Sequence, residues 1–280
     1  MERKGKEGDL QFTIYEVQFT ICRFPPYPSD RLSVDGVRHC PVYPTFSPML
    51  RPLLFCLLVP ALLTAQWEEN LIDLGADTMH YLVSYPAGYE RDTADWPLVL
   101  FLHGGGESGS DLEKVKAIGL PKHISEGQQY PFITLAPQNR FMHGFWDLAG
   151  LTQLLDDFTA RERVNADRVY LTGLSRGGMG AWMLAMQNPG RFAALAPVCG
   201  AVPRSYAIWI EEDLPIWVFH GTDDRLILPS ESVNMVEALR QKDMVHPPKL
   251  TLYEGVGHNA WDYAYADPEL YKWLLAQWRE

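Results

Sequence analysis

The apolar run RVYLT, residues 168–172, passes through GLSRGGMG, residues 173–180, directly into AWMLAM. A strand-forming stretch and a helix-forming stretch are thereby joined with almost no connecting chain. The backbone must turn sharply, and Gly173 and Gly177 flank Ser175 where side chains would collide in so tight a turn. Gly178 and Gly180 let the following helix lie close against a sheet. The spacing G-x-S-x-G marks Ser175 as a candidate nucleophile held at the end of a strand. An ordinary strand-to-helix turn can carry the same spacing by chance, so the reading rests on the rest of the chain.

From about residue 79 strand-like and helix-like segments alternate. MHYLVSYP, WPLVLFLH, FITLAPQ, RVYLTG, FAALAPVCG, IWVFHG and KLTLYEG read as strands. LTQLLDDFTARERV, GGMGAWMLAMQNPG, PSESVNMVEALRQK and ADPELYKWLLAQW read as helices. Ser230 is the expected cap of the third helix; Asp267 is expected to cap the fourth, with Pro268 in its first position. Apolar strands alternating with helices predict an α/β fold, a mostly parallel sheet with helices on both faces. Such sheets collect their chemistry at the carboxyl ends of the strands. HGGG, GLSRG and HGTDD each follow directly on an apolar strand, so all three are expected at one crevice. No linker interrupts residues 66–280, which read as a single catalytic domain.

The N-terminal quarter differs. MLRPLLFCLLVPALLTA, residues 49–65, has a basic residue, a short apolar middle and a small-residue end, the layout of a signal peptide. Its middle is too short for a stable membrane span, so the expected location is secreted or periplasmic. Residues 1–48 then read as a non-native or disordered N-terminal extension ahead of a true start at Met49. The other reading makes QFTIYEVQFTI, residues 11–21, a strand of a small extra unit. Cys22, Cys40 and Cys56 fall in these segments, leaving Cys199 as a lone, buried, apolar-like thiol with no internal disulfide. The formal charge of −11 argues against a nucleic-acid partner.

A serine hydroxyl needs a base to remove its proton. His39 lies in the extension, and His80, His123, His143 and His246 have no strand-end context. His103 and His220 each precede a glycine at a strand end, where an imidazole commonly shapes a loop. His258, in GVGHNAWD after KLTLYEG, is the candidate base, with His220 as the second choice. The base needs a carboxylate to hold its tautomer, and GTDDRLILP offers both Asp223 and Asp224. HGGG, residues 103–106, lacks side chains at three consecutive positions and can bring backbone N–H groups to a substrate carbonyl. The N–H of Arg176 is the expected second donor.

These motifs resemble the α/β-hydrolase superfamily, and within it the secreted single-domain esterases labelled predicted peptidases, polyhydroxybutyrate-depolymerase-like esterases or prolyl-oligopeptidase-like hydrolases. The resemblance is carried by WPLVLFLHGGGESGSDLEKV, PFITLAPQ, DRVYLTGLSRGGMGAWMLAMQNPGRFAALAPVCG, PIWVFHGTDDRLILP and YEGVGHNAWDYAYADPELYKWLL. It implies that the acid is Asp224, the last residue of an H-G-x-x-D pattern, and that the oxyanion loop donates from Gly105. It also implies ester hydrolysis through an acyl-serine, with Ser175 attacking, His258 moving the proton and Asp224 orienting it, and with no metal and no cofactor. Two departures stand out. Arg176 replaces the methionine of many relatives, which bears on specificity, and the proline after the acid is displaced to Pro229. The implied substrates are short-chain or carbohydrate acyl esters, small molecules or polysaccharides. Trp146 and Trp261 are candidate pocket residues, with a core role as the alternative. Two further readings are a serine peptidase for short peptides and a non-catalytic binding module on the same fold.

Overall fold

The computed structural model describes residues 20–21, 67–75, 77–91 and 93–279. The leader-like segment and nearly all of the N-terminal extension lie outside the described residues, as do Cys22, Cys40 and Cys56. The strands are β1 (Thr20–Ile21), β2 (Trp67–Asp73), β3 (Thr78–Ser84), β4 (Trp96–Leu102), β5 (Ile133–Pro137), β6 (Val164–Leu174), β7 (Ala194–Val198), β8 (Trp217–Gly221) and β9 (Lys249–Tyr253). They form one sheet in the order β1-β9-β8-β7-β6-β4-β5-β3-β2. Every neighbouring pair is parallel except those made by β3, which runs against both β5 and β2.

The reason for two covering layers is written in the central strands. Along β4, Leu98, Leu100 and Leu102 enter one apolar cluster, while Val99 and Phe101 enter the other. A strand apolar on both faces must be covered on both. One layer is α3 (Leu148–Arg161), α4 (Arg176–Gln187) and α5 (Pro229–Gln241), which contribute Leu151, Phe158, Trp182, Leu184, Val236 and Leu239. The other is α1 (Glu113–Lys116), α2 (Gly119–Ser125), α6 (Trp261–Ala264) and α7 (Pro268–Leu275), with Val115, Leu120, Ile124, Ala264, Leu270 and Leu274. This is the α/β architecture expected.

Three local features depart from expectation or extend it. Strand β2 was not foreseen: WEENLID lies at the sheet edge and fully buries only Ile72, so it carries no apolar run. Ser230 is not a cap. Pro229, with its preset φ, starts α5 two residues earlier than a Ser230 cap would, and Leu228 holds the cap position without a side-chain bond. Asp267 does cap α7, accepting from the N–H of Glu269 at 2.9 Å.

The junction of β6 and α4 fixes everything at the strand ends. β6 closes at Leu174 and α4 opens at Arg176, so Ser175 alone makes the turn. It does so at φ 53° and ψ −119°, a conformation that a side chain rarely adopts. Its N–H donates to the Val198 carbonyl at 2.8 Å, and its carbonyl accepts from Met179 N–H at 3.0 Å. The flanking glycines are sterically required. A Cβ on Gly177 would collide with the carbonyl oxygens of Leu102 and His103, at 2.5 Å from the latter, and one on Gly173 would lie 2.9 Å from the Leu102 oxygen. At Gly178 it would sit 2.8 Å from the Val198 oxygen. Since the obstacles are backbone, Gly177→Ala is expected to destabilise the protein by about 3 kcal/mol or to prevent folding. Urea unfolding of the variant beside wild type measures this; a loss below about 1 kcal/mol contradicts the packing described.

Candidate active site

Three side chains from three strand ends meet at the elbow. The Ser175 Oγ lies 2.8 Å from Nε2 of His258, and Nδ1 of the same ring lies 2.6 Å from Oδ2 of Asp224. Asp224 follows β8 and His258 follows β9, so the parallel sheet delivers both beside the end of β6. The carboxylate cannot donate, which places the His258 proton on Nδ1 and leaves Nε2 to accept from the serine hydroxyl. Ser175 and His258 are partly exposed, whereas Asp224 is buried.

A buried carboxylate must be satisfied at every oxygen. Oδ1 of Asp224 accepts from the N–H groups of Leu226 at 2.9 Å and Ile227 at 3.0 Å, and Oδ2 faces both His258 and Nε2 of His220 at 3.1 Å. Burial alone would raise its pKa, but the bonds from His258, Ile227 and Leu226 prevail and hold it below the ordinary value. The carboxylate is therefore charged at neutral pH. Its neighbour Asp223 is exposed and takes a bond from the Thr222 hydroxyl, away from the relay.

His220, the second candidate base, is turned away from Ser175. Its Nε2 faces two acceptors, Asp224 and the Ile227 carbonyl at 2.9 Å, so that nitrogen carries the proton. Nδ1 then accepts from the Ser232 hydroxyl at 2.7 Å. Burial lowers the His220 pKa and keeps the ring neutral. Its part is to brace the carboxylate. Ser232, fully inside α5, was not foreseen, since a helical serine gives no sequence signal of its partner.

The loop after β4 passes beside the elbow: a Cβ on Gly104 would stand 3.6 Å from that of Ser175. Gly105 and Arg176, the two expected oxyanion donors, are thus neighbours. As the first residue of α4, Arg176 carries an N–H that a helix leaves without an intrahelical partner. His103, fully buried, sets the loop. Its Nε2 accepts from the N–H of Asn139 at 2.9 Å, so its proton is on Nδ1, which donates to the Gly104 carbonyl at 2.7 Å. Because a trans peptide points its C=O and N–H in opposite directions, holding the Gly104 oxygen aims the Gly105 N–H.

The Arg176 side chain is only partly exposed. A cation at a helix N-terminus opposes the macrodipole at a cost of about 0.3–1 kcal/mol. Here its two Nη groups reach five acceptors with four N–H groups, and a well-formed charge-assisted bond is worth about 1.5–3 kcal/mol, so the dipole penalty is offset. Trp146 is a core residue: it is 5% exposed, lies 4.8 Å from the His103 ring, and would meet a Cβ on Gly180 at 2.6 Å. That burial is that of the core role given as the alternative for it. Trp261 is partly exposed at the start of α6 and stands edge-on to His258, 5.1 Å between ring centres.

Among the described residues one group could bring three metal-type ligand atoms within 4.8 Å, namely Cys199, His220 and Asp224. It does not suit an ion. Burial, with Asp224 nearby, pushes the Cys199 thiol up to about 12, and both His220 nitrogens are engaged.

Sheet, elbow and relay together define an α/β hydrolase. The chain belongs to the dienelactone hydrolase family, whose model matches residues 105–266. It is 29% identical over 165 residues to a protein named "Putative esterase NocK" from Nocardia uniformis subsp. tsuyamanensis, covering 56% of this chain and 48% of that one. It is 28% identical over 138 residues to the bifunctional acetylxylan esterase/xylanase XynS20E of Neocallimastix patriciarum, covering 47% of this chain and 20% of that protein. The chain thus spans about half the length of the first and a fifth of the second. The crystal structure of a thermostable esterase aligns with a TM-score of 0.65 at 27% identity, over 78% of this chain and 64% of that one. Among the described residues no helix is long and apolar enough to cross a membrane.

Burial drives the His103 pKa from 6.5 down to about 4. Below pH 6.5 the unfolded chain takes up a proton that the folded chain refuses until about pH 4, so this residue's contribution is lost as pH falls through that window. The loss attributable to it is about 3 kcal/mol. His103→Gln is expected to flatten the stability-versus-pH curve over the same range; equal slopes in both proteins contradict the neutral, buried imidazole.

Proposed function

We propose that the chain is a serine carboxylic ester hydrolase acting through an acyl-serine intermediate. The observation that carries this is the unbroken hydrogen-bonded path from the Ser175 hydroxyl through His258 to the buried Asp224 carboxylate. Ser175 Oγ attacks the ester carbonyl while Nε2 of His258 takes its proton. The imidazolium so formed is stabilised by Asp224, which stays charged. Negative charge on the former carbonyl oxygen is met by the N–H groups of Gly105 and Arg176. His258 returns the proton to the departing alkoxide. Water then enters, gives a proton to Nε2, and releases the acid by the same steps in reverse.

Esters are the preferred class because an alkoxide leaves with less protonation than an amine. The names of the relatives, an esterase and an acetylxylan esterase, support a short-chain or carbohydrate acyl ester, borne on a small molecule or a polysaccharide. Trp261, beside His258, is the residue best placed to meet it. Residues 66–280 would form the catalytic domain, and the leader-like residues 49–65 support a secreted or periplasmic location.

The test is an ester panel of rising acyl length, including acetylated and feruloylated sugars, run beside peptide anilides. Ester turnover is expected to exceed anilide turnover. Ser175→Ala should lower kcat by about 10⁴-fold or more and Asp224→Asn by about 10³–10⁴-fold. Unchanged turnover in Ser175→Ala removes the nucleophile assigned, and anilides cleaved faster than esters favour the peptidase reading.

A further inference from the structure

The HGGG loop has a mechanical problem. Three consecutive glycines, Gly104 to Gly106, have no side chains to fix them, yet an oxyanion donor must be held to a fraction of an ångström. His103 fixes the peptide on the N-terminal side of Gly105 by holding the Gly104 carbonyl. The peptide on its other side is held by Arg176, whose Nη2 donates to the Gly105 carbonyl at 2.6 Å and to the Ser108 hydroxyl at 2.9 Å.

The opposite edge of the same guanidinium grips a different loop. The two N–H groups of Nη1 are shared among the carbonyls of Gly144 at 2.8 Å, Met142 at 3.1 Å and Phe141 at 3.3 Å, in the segment that follows β5. That segment is anchored in turn by Asn139, whose side chain accepts from Phe141 N–H at 3.0 Å and donates to the Phe145 carbonyl at 3.3 Å. Other ties between the two loops, from Gln138 to Glu107 and Asp111 and from Gly109 to Asn139, act further along and leave Gly105 untouched. The guanidinium is the one group among these that reaches the carbonyl of the donor residue itself. A planar fork fixes its donors on two edges some distance apart, which suits a bridge between two loops better than a point ammonium does.

We infer that the Arg176 side chain is a positioning residue of the reaction: it bolts the oxyanion loop to the loop after β5 and thereby holds the Gly105 N–H in place, while its own backbone N–H supplies the second donor. The residue following the nucleophile thus serves the oxyanion twice, once through its main chain and once through its side chain. This rests on the ester-hydrolase reading above. Displacing one donor affects the charged transition state and leaves the ground state nearly untouched, so the effect falls on kcat and spares KM.

Arg176→Ala retains the backbone donor and removes the bolt. With p-nitrophenyl acetate, its kcat per active site is expected to fall about 10- to 100-fold while KM stays within about threefold. Counting sites by fluorophosphonate titration run to completion separates this from partial unfolding, which would lower the number of titratable sites and not the rate at each. Guanidinium ion added at concentrations that leave wild type unaffected should restore part of the lost kcat, and ammonium should not. Arg176→Lys should recover at most a small part of the lost kcat, because a single nitrogen cannot occupy both Nη positions at once. A kcat per titrated site within about twofold of wild type in Arg176→Ala, with Ser175→Ala inactive, overturns the bolt and leaves the hydrolase reading intact. Activity persisting in Ser175→Ala overturns the hydrolase reading itself.

Discussion

A single residue turns the chain from β6 into α4, and the site exists because that turn is so short. Ser175 sits at a positive φ with its hydroxyl carried out of the sheet, and carbonyl oxygens of β4 and its following loop press against both flanking glycines. The strain of such a conformation, about 1–3 kcal/mol, persists only where the surroundings dictate it. Here the surroundings are two covered faces of a parallel sheet, with bonds from Ser175 to Val198 and Met179 closing the turn. The same closeness that compresses the elbow brings the HGGG loop beside the serine. Strain and function thus have one origin in the packing of α4 against β4.

Around this fixed point each titratable group of the relay has partners that set its state. The Asp224 carboxylate is buried, which by itself would favour its neutral form; the bonds from His258, Ile227 and Leu226 reverse that preference. Two buried histidines, His103 and His220, are kept neutral by burial and each has a defined tautomer through its donor and acceptor contacts. Both serve as braces, one for the Gly104–Gly105 peptide and one for the Asp224 carboxylate. Only His258, partly open to solvent, lies between the hydroxyl and the carboxylate.

Much of this was legible before any coordinates. Short apolar runs marked β4 to β9, because strands covered on both faces need near-continuous hydrophobic residues. The elbow was legible because only glycine tolerates backbone at its Cβ position, and His258 because few histidines follow a strand into a glycine-bounded loop. Between Asp223 and Asp224 the residues alone could not choose, since burial of one and exposure of the other depends on how the turn meets β9. The edge strand β2 was invisible for the opposite reason to β4: most of its side chains face water. The roles of Trp146 and of the Arg176 side chain were not legible, because tertiary placement decides them. The tryptophan fills space that Gly180 leaves, and the arginine finds carbonyls on segments more than thirty residues away. Ser232 carries no local signature at all.

The central claim is that, among the described residues, the hydroxyl of Ser175 is the group made reactive by its neighbours. Mass spectrometry of the protein after treatment with a fluorophosphonate, followed by proteolysis, tests it directly. The account predicts one adduct per chain, on Ser175 within the peptide containing GLSRGGMG, and none when Asp224→Asn and His258→Ala are combined. An adduct on another serine, or an unmodified Ser175 in active protein, would contradict it.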